Sequence, residues 1–288
     1  MLRHTFAALA GALALAAVTP ALAEEFEAES RSARSLGLDL GLGAGVGFAP
    51  TYEGADNYRA TVFPIIKPSF GSGPSRVDFR ALDDIRIDLF PASRFRFGPV
   101  IGYTFGRDED DDARLRGLGD IDGGLVGGAF VGYDFISDEA AKLGVAVAYT
   151  TQFTGDAFEA ARFGAAPGLT DDFGAEIDLG LSGAVALSDR LDLSGRAGAV
   201  HATDDYMDTH FGIVAAQSAA SGLPVFDPDA GFKSAYVRAD LGYRLTDRIR
   251  LQAGLGYARI IGDAADSPVV ANRNQFDGQI GASYTLRF

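Results

Sequence analysis

Even positions from Leu36 through Leu38, Leu40, Leu42, Ala44 and Val46 to Phe48 are apolar, while the odd positions between them carry Gly37, Asp39, Gly41, Gly43, Gly45 and Gly47. A period of two is the signature of an extended strand whose faces meet different surroundings. In a soluble sheet the polar face usually carries bulky hydrated side chains. A file of glycines suits a narrow interior instead, and the even face suits hydrocarbon. The pattern recurs about ten times, which predicts a barrel with lipid outside and a polar lumen.

Read backwards from the C-terminus, residues 275–288 put Phe276, Ile280, Ala282, Tyr284, Leu286 and Phe288 on one face and Gln275, Asp277, Gln279, Ser283 and Arg287 on the other. Residues 235–245 and 249–261 form a hairpin around Thr246-Asp247-Arg248, with Leu241, Leu251 and Leu255 outward and Arg238, Asp240, Arg250 and Gln252 inward. Residues 173–187 and 191–202 repeat the design around Ser188-Asp189-Arg190, and so do 124–136 and 142–153. In each short connection Asp is expected to accept hydrogen bonds from nearby amides. The segments between hairpins, 107–122, 154–172, 203–231 and 262–274, are long. Alternation of short turns with long loops is the layout of an outer-membrane barrel, short in the periplasm and long outside.

An apolar band of ~25 Å crossed at ~40° takes roughly 10 residues per strand, and these segments exceed that. Aromatic residues gather near segment ends, as at Tyr103 and Phe105, Tyr133 and Phe135, and Tyr149 and Phe153. That placement matches two interfacial girdles. Eleven segments are clear, and both chain ends on the periplasmic side require an even number. Reading 76–81 and 84–90 as two short strands gives a transmembrane antiparallel up-and-down β-barrel of twelve strands; dropping one of the eleven segments instead gives ten.

Residues 1–23 have the positive start, apolar run and small-residue end of a secretory signal peptide, leaving 24–35 as a periplasmic lead-in and 36–288 as the barrel. Without the signal the chain has 24 basic residues against 39 acids, a formal charge of −15, so nucleic acid is not an expected partner. No other stretch is apolar enough to span a bilayer as a helix. There is no cysteine, which excludes disulfides, thiol catalysis and thiolate metal sites.

Three further stretches carry a resemblance. Pro50-Thr51-Tyr52-Glu53-Gly54-Ala55-Asp56, then Leu115-Arg116-Gly117-Leu118-Gly119-Asp120, then Phe211-Gly212-Ile213 with Ala215-Ala216-Gln217 and Ser221-Gly222-Leu223-Pro224, resemble in order the loop motifs of the MipA/OmpV family, the MltA-interacting outer-membrane proteins. His210 departs from the Tyr expected before Phe-Gly. The resemblance implies a non-enzymatic outer-membrane protein, described in some members as a scaffold joining a murein-cleaving transglycosylase to a murein synthase. Other members are linked to osmotic response, adhesion or antibiotic susceptibility. It brings no catalytic residue, cofactor or metal ligand, and it implies outer-membrane lipids and lipopolysaccharide as surroundings.

The phase of the strands turns a mixed set of charges inward: Asp39, Arg59, Lys67, Arg86, Asp88, Arg96, Glu176, Asp178, Asp192, Arg196, Arg238, Asp240, Arg244, Arg250, Asp277 and Arg287. Opposite charges on neighbouring strands can satisfy one another as a lumenal network, and the same residues can line a conducting pore. The run Asp108-Glu109-Asp110-Asp111-Asp112, with Asp120 and Asp122, reads as a solvated charge run, its spacing unlike a calcium-binding loop. A lipid hydrolase would need an activated serine with a histidine base. Ser194 and His201 are seven residues apart on one strand, roughly 20 Å. Ser218 and Ser221 share a loop with His210.

Overall fold

In the computed structural model, which describes residues 38–70, 77–81, 84–138, 140–153 and 173–287, twelve antiparallel strands form one sheet. They are β1 (Leu38–Pro50), β2 (Tyr58–Phe70), β3 (Val77–Phe79), β4 (Ile85–Ile87), β5 (Phe95–Thr104), β6 (Gly124–Ser137), β7 (Ala141–Phe153), β8 (Ala175–Ala186), β9 (Leu191–Ala202), β10 (Gly231–Arg244), β11 (Ile249–Ile260) and β12 (Asn274–Arg287). The order is β2-β1-β12-β11-β10-β9-β8-β7-β6-β5-β4-β3, so the first and last long strands pair side by side. Among the described residues no ladder joins β2 to β3. The sheet curls across its interior: Arg86 of β4 reaches Asp178 of β8 at 2.9 Å, and Lys67 of β2 reaches Gln252 of β11 at 2.9 Å.

The count of twelve is the preferred sequence reading, but the two short strands are shorter than 76–81 and 84–90. The Asp88 carboxylate accepts the Phe90 amide at 2.9 Å, which turns the chain out of extended geometry directly after β4. The segments expected to be a signal peptide (1–23) and a lead-in (24–35), the connection 154–172 and Phe288 lie outside the described residues.

The two faces separate as the alternation requires. Val62, Leu255 and Ile280, at mid-strand on the outer face, are 68%, 67% and 62% exposed, against 8% for the inward Gln275. Aromatic pairs mark both rims: Phe48 with Tyr58 at 6.1 Å and Tyr257 with Phe276 at 5.0 Å at one, Tyr133 with Phe135 at 5.6 Å at the other. No described helix is long and apolar enough to cross a membrane.

The tight turns hold by a different atom from the one expected. Ser188 Oγ accepts the Arg190 and Leu191 amides at 3.3 and 3.1 Å, and Thr246 Oγ1 accepts those of Arg248 and Ile249 at 3.3 and 3.0 Å. A hydroxyl at the first loop position faces back over the next amides, whereas Asp189 and Asp247 sit at the exposed tips. At Asp138 a carboxylate does this work, accepting from Ala140 and Ala141.

Candidate functional site

The long connections fold together. Helices α1 (Asp204–Phe211) and α2 (Ala215–Ser221) follow β9, and α3 (Gly262–Asp266) follows β11. Two apolar clusters bind them to the barrel mouth. Met207 and Phe211 of α1 pack with Ala264 and Ala265 of α3 over Ala202 and Ile260 at the strand ends. Tyr52, Ala55, Leu115, Leu118, Ile213 and Val269 form the second cluster, drawing on four separate connections. This is a lid with its own core.

All three motif stretches lie in that lid. The Tyr52 hydroxyl donates to the Val269 carbonyl at 3.0 Å, and its burial, helped by Asp112, pushes the phenol up to about 12. Gln217 donates to the Leu118 carbonyl at 2.6 Å and accepts the Val214 amide at 2.9 Å. Gly117 has φ +82°, and a Cβ there would stand 2.8 Å from the Ala220 backbone, so the motif glycine admits both the turn and the close approach of α2.

Lys233 is the hinge pin between lid and barrel. Its ammonium donates to Glu53 of the β1–β2 connection at 2.7 Å, to Glu176 of β8 at 2.8 Å and to the Tyr206 hydroxyl of α1 at 2.9 Å. Tyr206 stacks on His210 with ring centroids 4.1 Å apart. Burial, then the charges of Lys233 and Arg107, hold the His210 imidazole down to about 3, so it is neutral at physiological pH. Burial likewise keeps the Tyr206 phenol protonated far above its ordinary range.

Below the lid runs a cavity of about 1090 Å³, lined from His210 at one end to Lys142 and Arg250 at the other. Its walls are joined by ion pairs. Asp178 receives Arg86 at 2.9 Å, Arg80 at 4.0 Å and the Tyr236 hydroxyl at 2.8 Å. Arg96 pairs with Asp88 at 2.9 Å and Arg250 with Asp192 at 2.6 Å, while Arg238 pairs with both Asp240 and Asp277. The guanidinium groups of Arg86 and Arg96 lie 5.7 and 5.8 Å from the ring centre of the inward Phe130. Inward glycines leave the room: a Cβ at Gly254 would collide with the Asp240 carboxylate, and one at Gly256 with Asp277.

Twelve of the sixteen charges assigned inward line this cavity: Lys67, Arg86, Asp88, Arg96, Glu176, Asp178, Asp192, Arg196, Arg238, Asp240, Arg250 and Asp277. Asp39, Arg59, Arg244 and Arg287 do not. Arg59 turns to the Thr51 carbonyl and Asp111, and Arg287 to the Asp247 carbonyl. Sequence reasoning missed Lys233 because it began that strand at Ala235. A bulge between Phe232 and Ser234 interrupts the alternation and buries Lys233 and Ser234 consecutively. Asp78, Arg80 and Asp84 were missed because three-residue strands carry too little periodicity to phase.

The acidic run is not simply solvated. Glu109 accepts the Gly117 and Gly119 amides, Asp120 the Glu109 amide, and Asp112 the Arg114 amide and the Asn57 side chain. These acids knit the loop through its own backbone. The histidine and serine candidates do not meet as an acid–base pair: Ser194 lines the cavity, while His201 stands on the opposite face with its ring 5.5 Å from Phe232. Ser221 Oγ donates to the Gln217 carbonyl at 2.7 Å, and His210 is stacked on Tyr206.

Among solved structures this chain is similar to the NanC porin (TM-score 0.42, 11% identity, 86% of this chain and 100% of that one), OmpT of Vibrio cholerae (TM-score 0.38, 10% identity, 86% and 97%) and OprB of Pseudomonas putida (TM-score 0.36, 9% identity, 91% and 97%). No curated protein matches the sequence. The family model described as MltA-interacting protein MipA matches residues 42–286, nearly the whole barrel and all of the lid. The chain therefore belongs to the MipA family and is an outer-membrane β-barrel protein.

Proposed function

We propose that this protein is a non-enzymatic platform in the outer membrane that holds a murein transglycosylase, and through it a murein synthase, at the periplasmic rim. Membership in a family described by interaction with MltA carries the reading. The geometry supports it: the charged side chains of the lumen are engaged chiefly with one another, and the lid is locked onto the barrel through Lys233. The exposed tips Asp189 and Asp247, with the lead-in 24–35, are the surfaces offered to a partner, while the outer face meets lipid and lipopolysaccharide. Photo-crosslinking residues at positions 189 and 247 in growing cells are expected to trap a murein enzyme, and purified barrel in planar bilayers is expected to conduct little. Absence of such adducts together with stable conductance overturns the proposal.

The cavity under the lid favours a second reading, a narrow conduit for small solutes. A conduit predicts conductance whose ion selectivity shifts in Arg196→Glu or Arg250→Glu, since charge reversal in a narrow lumen changes which ions enter.

A further inference from the structure

At mid-lumen, Arg196 of β9 and Arg238 of β10 are direct cross-strand partners. Like charges directly opposed destabilise a sheet, so something anionic must stand between them. Arg238 turns away to Asp240, at 3.1 Å, and to Asp277. Arg80, which also stands near Arg196, is held by Asp78 at 2.9 Å. Arg196 itself is within electrostatic reach of Asp78 and Asp240, but both carboxylates are already committed to those other arginines. Among the described residues no hydrogen bond or carboxylate within 4.0 Å engages the Arg196 guanidinium. Lys67, on the facing wall and influenced by the same two acids, bonds only the neutral Gln252 oxygen at 2.9 Å. Both cations line the cavity.

Arg196 is half-buried without a counter-charge and Lys67 stays exposed to the lumen, whereas Arg80, Arg86, Arg96, Arg238 and Arg250 all have carboxylate partners. We propose that the lumen contains a binding site for a small hydroxylated organic anion, its carboxylate or phosphate group held by Arg196 and approached by Lys67. The planar guanidinium fork matches either group with two parallel hydrogen bonds. The neighbouring Asp78 and Asp240 would accept hydrogen bonds from the ligand's hydroxyls and repel a second negative charge placed against them. The cavity, about 1090 Å³, lies just above the ~300–1,000 Å³ typical of small-molecule sites. The site deepens the conduit reading by requiring solute entry, but it does not require transit.

Calorimetry on the full-length barrel folded in detergent tests it with three probes: gluconate, glucose 6-phosphate and neutral glucose. At least one of the two anions is expected to bind saturably, and glucose is not; which anion wins identifies carboxylate or phosphate as the preferred group. Arg196→Gln is expected to weaken binding at least tenfold, with partial recovery in Arg196→Lys, each variant first checked for heat-modifiable mobility. Should Arg196→Gln fail to fold, Lys67→Gln is expected to weaken binding at least threefold. No saturable anion binding to the wild-type barrel, or affinity unchanged in these variants, overturns the site. Conductance of the same preparation is read separately: a barrel that binds but does not conduct removes the conduit and keeps the site.

Discussion

His210 stands where its family resemblance calls for Tyr, stacked on Tyr206 and held neutral down to about 3. A histidine in the unfolded chain titrates near 6.5. Between those values the unfolded lid binds the extra proton, so the contribution of His210 is complete above about pH 6.5 and is lost as the pH falls toward 3. Hydrogen-exchange protection of α1 is therefore expected to drop between pH 7 and pH 5, and to drop less in His210→Tyr; equal losses in the two proteins refute the assignment. A second comparison tests the strand phase. Ile280 lies at mid-depth on the outer face of β12 at 62% exposure, and its neighbour Gln279 lines the cavity. Ile280→Arg should cost about 2–4 kcal/mol of barrel stability in denaturant titrations, and Gln279→Arg much less. A one-residue slip in register would reverse that order. At this scale alternation made the strand interiors legible, and it failed at Lys233, where a bulge sets two consecutive residues inward.

The elements divide into two structures with different sources of stability. The strands are held by continuous ladders. The lid is held by small apolar clusters and by the Lys233 pin, so it can loosen while the strand ladders persist. Phe211, fully buried among Met207, Ala264 and Ala265, is the test. Phe211→Ala should cost about 3–5 kcal/mol within the lid. Exchange protection in α1 and α3 is expected to fall while the folded band on unheated gels persists; loss of that band would show lid and barrel to be one cooperative unit. The long strands and the positions of the short turns were legible from periodicity and loop composition. Helices of eight, seven and five residues were not, because segments so short carry no readable 3.6-residue pattern and draw their stability from tertiary packing.

For the whole molecule, the layout places the short turns and both termini of the barrel on one side and the lid on the other. The chain contains no cysteine, so single introduced thiols report position directly. A bulky impermeant maleimide applied to intact cells is expected to label Asp110→Cys in the acidic connection and not Asp247→Cys in the β10–β11 turn, which should react only after the outer membrane is permeabilised. The reverse pattern would invert the topology. The amino-acid pattern alone is enough to make this chain a barrel with apolar residues outward and charges inward, with the strand number left at twelve or ten, because hydrocarbon on one side and water on the other impose a period of two on every long strand. Which charge meets which is settled only by the folded chain. Arg86 and Asp178 are 92 residues apart, Lys233 and Glu53 180, and their pairing depends on curvature, strand stagger and a bulge that no local pattern encodes. The lid was decided in the same way: its core is assembled from four connections, each too short to bury an apolar face alone, and it exists only because the barrel brings their ends together.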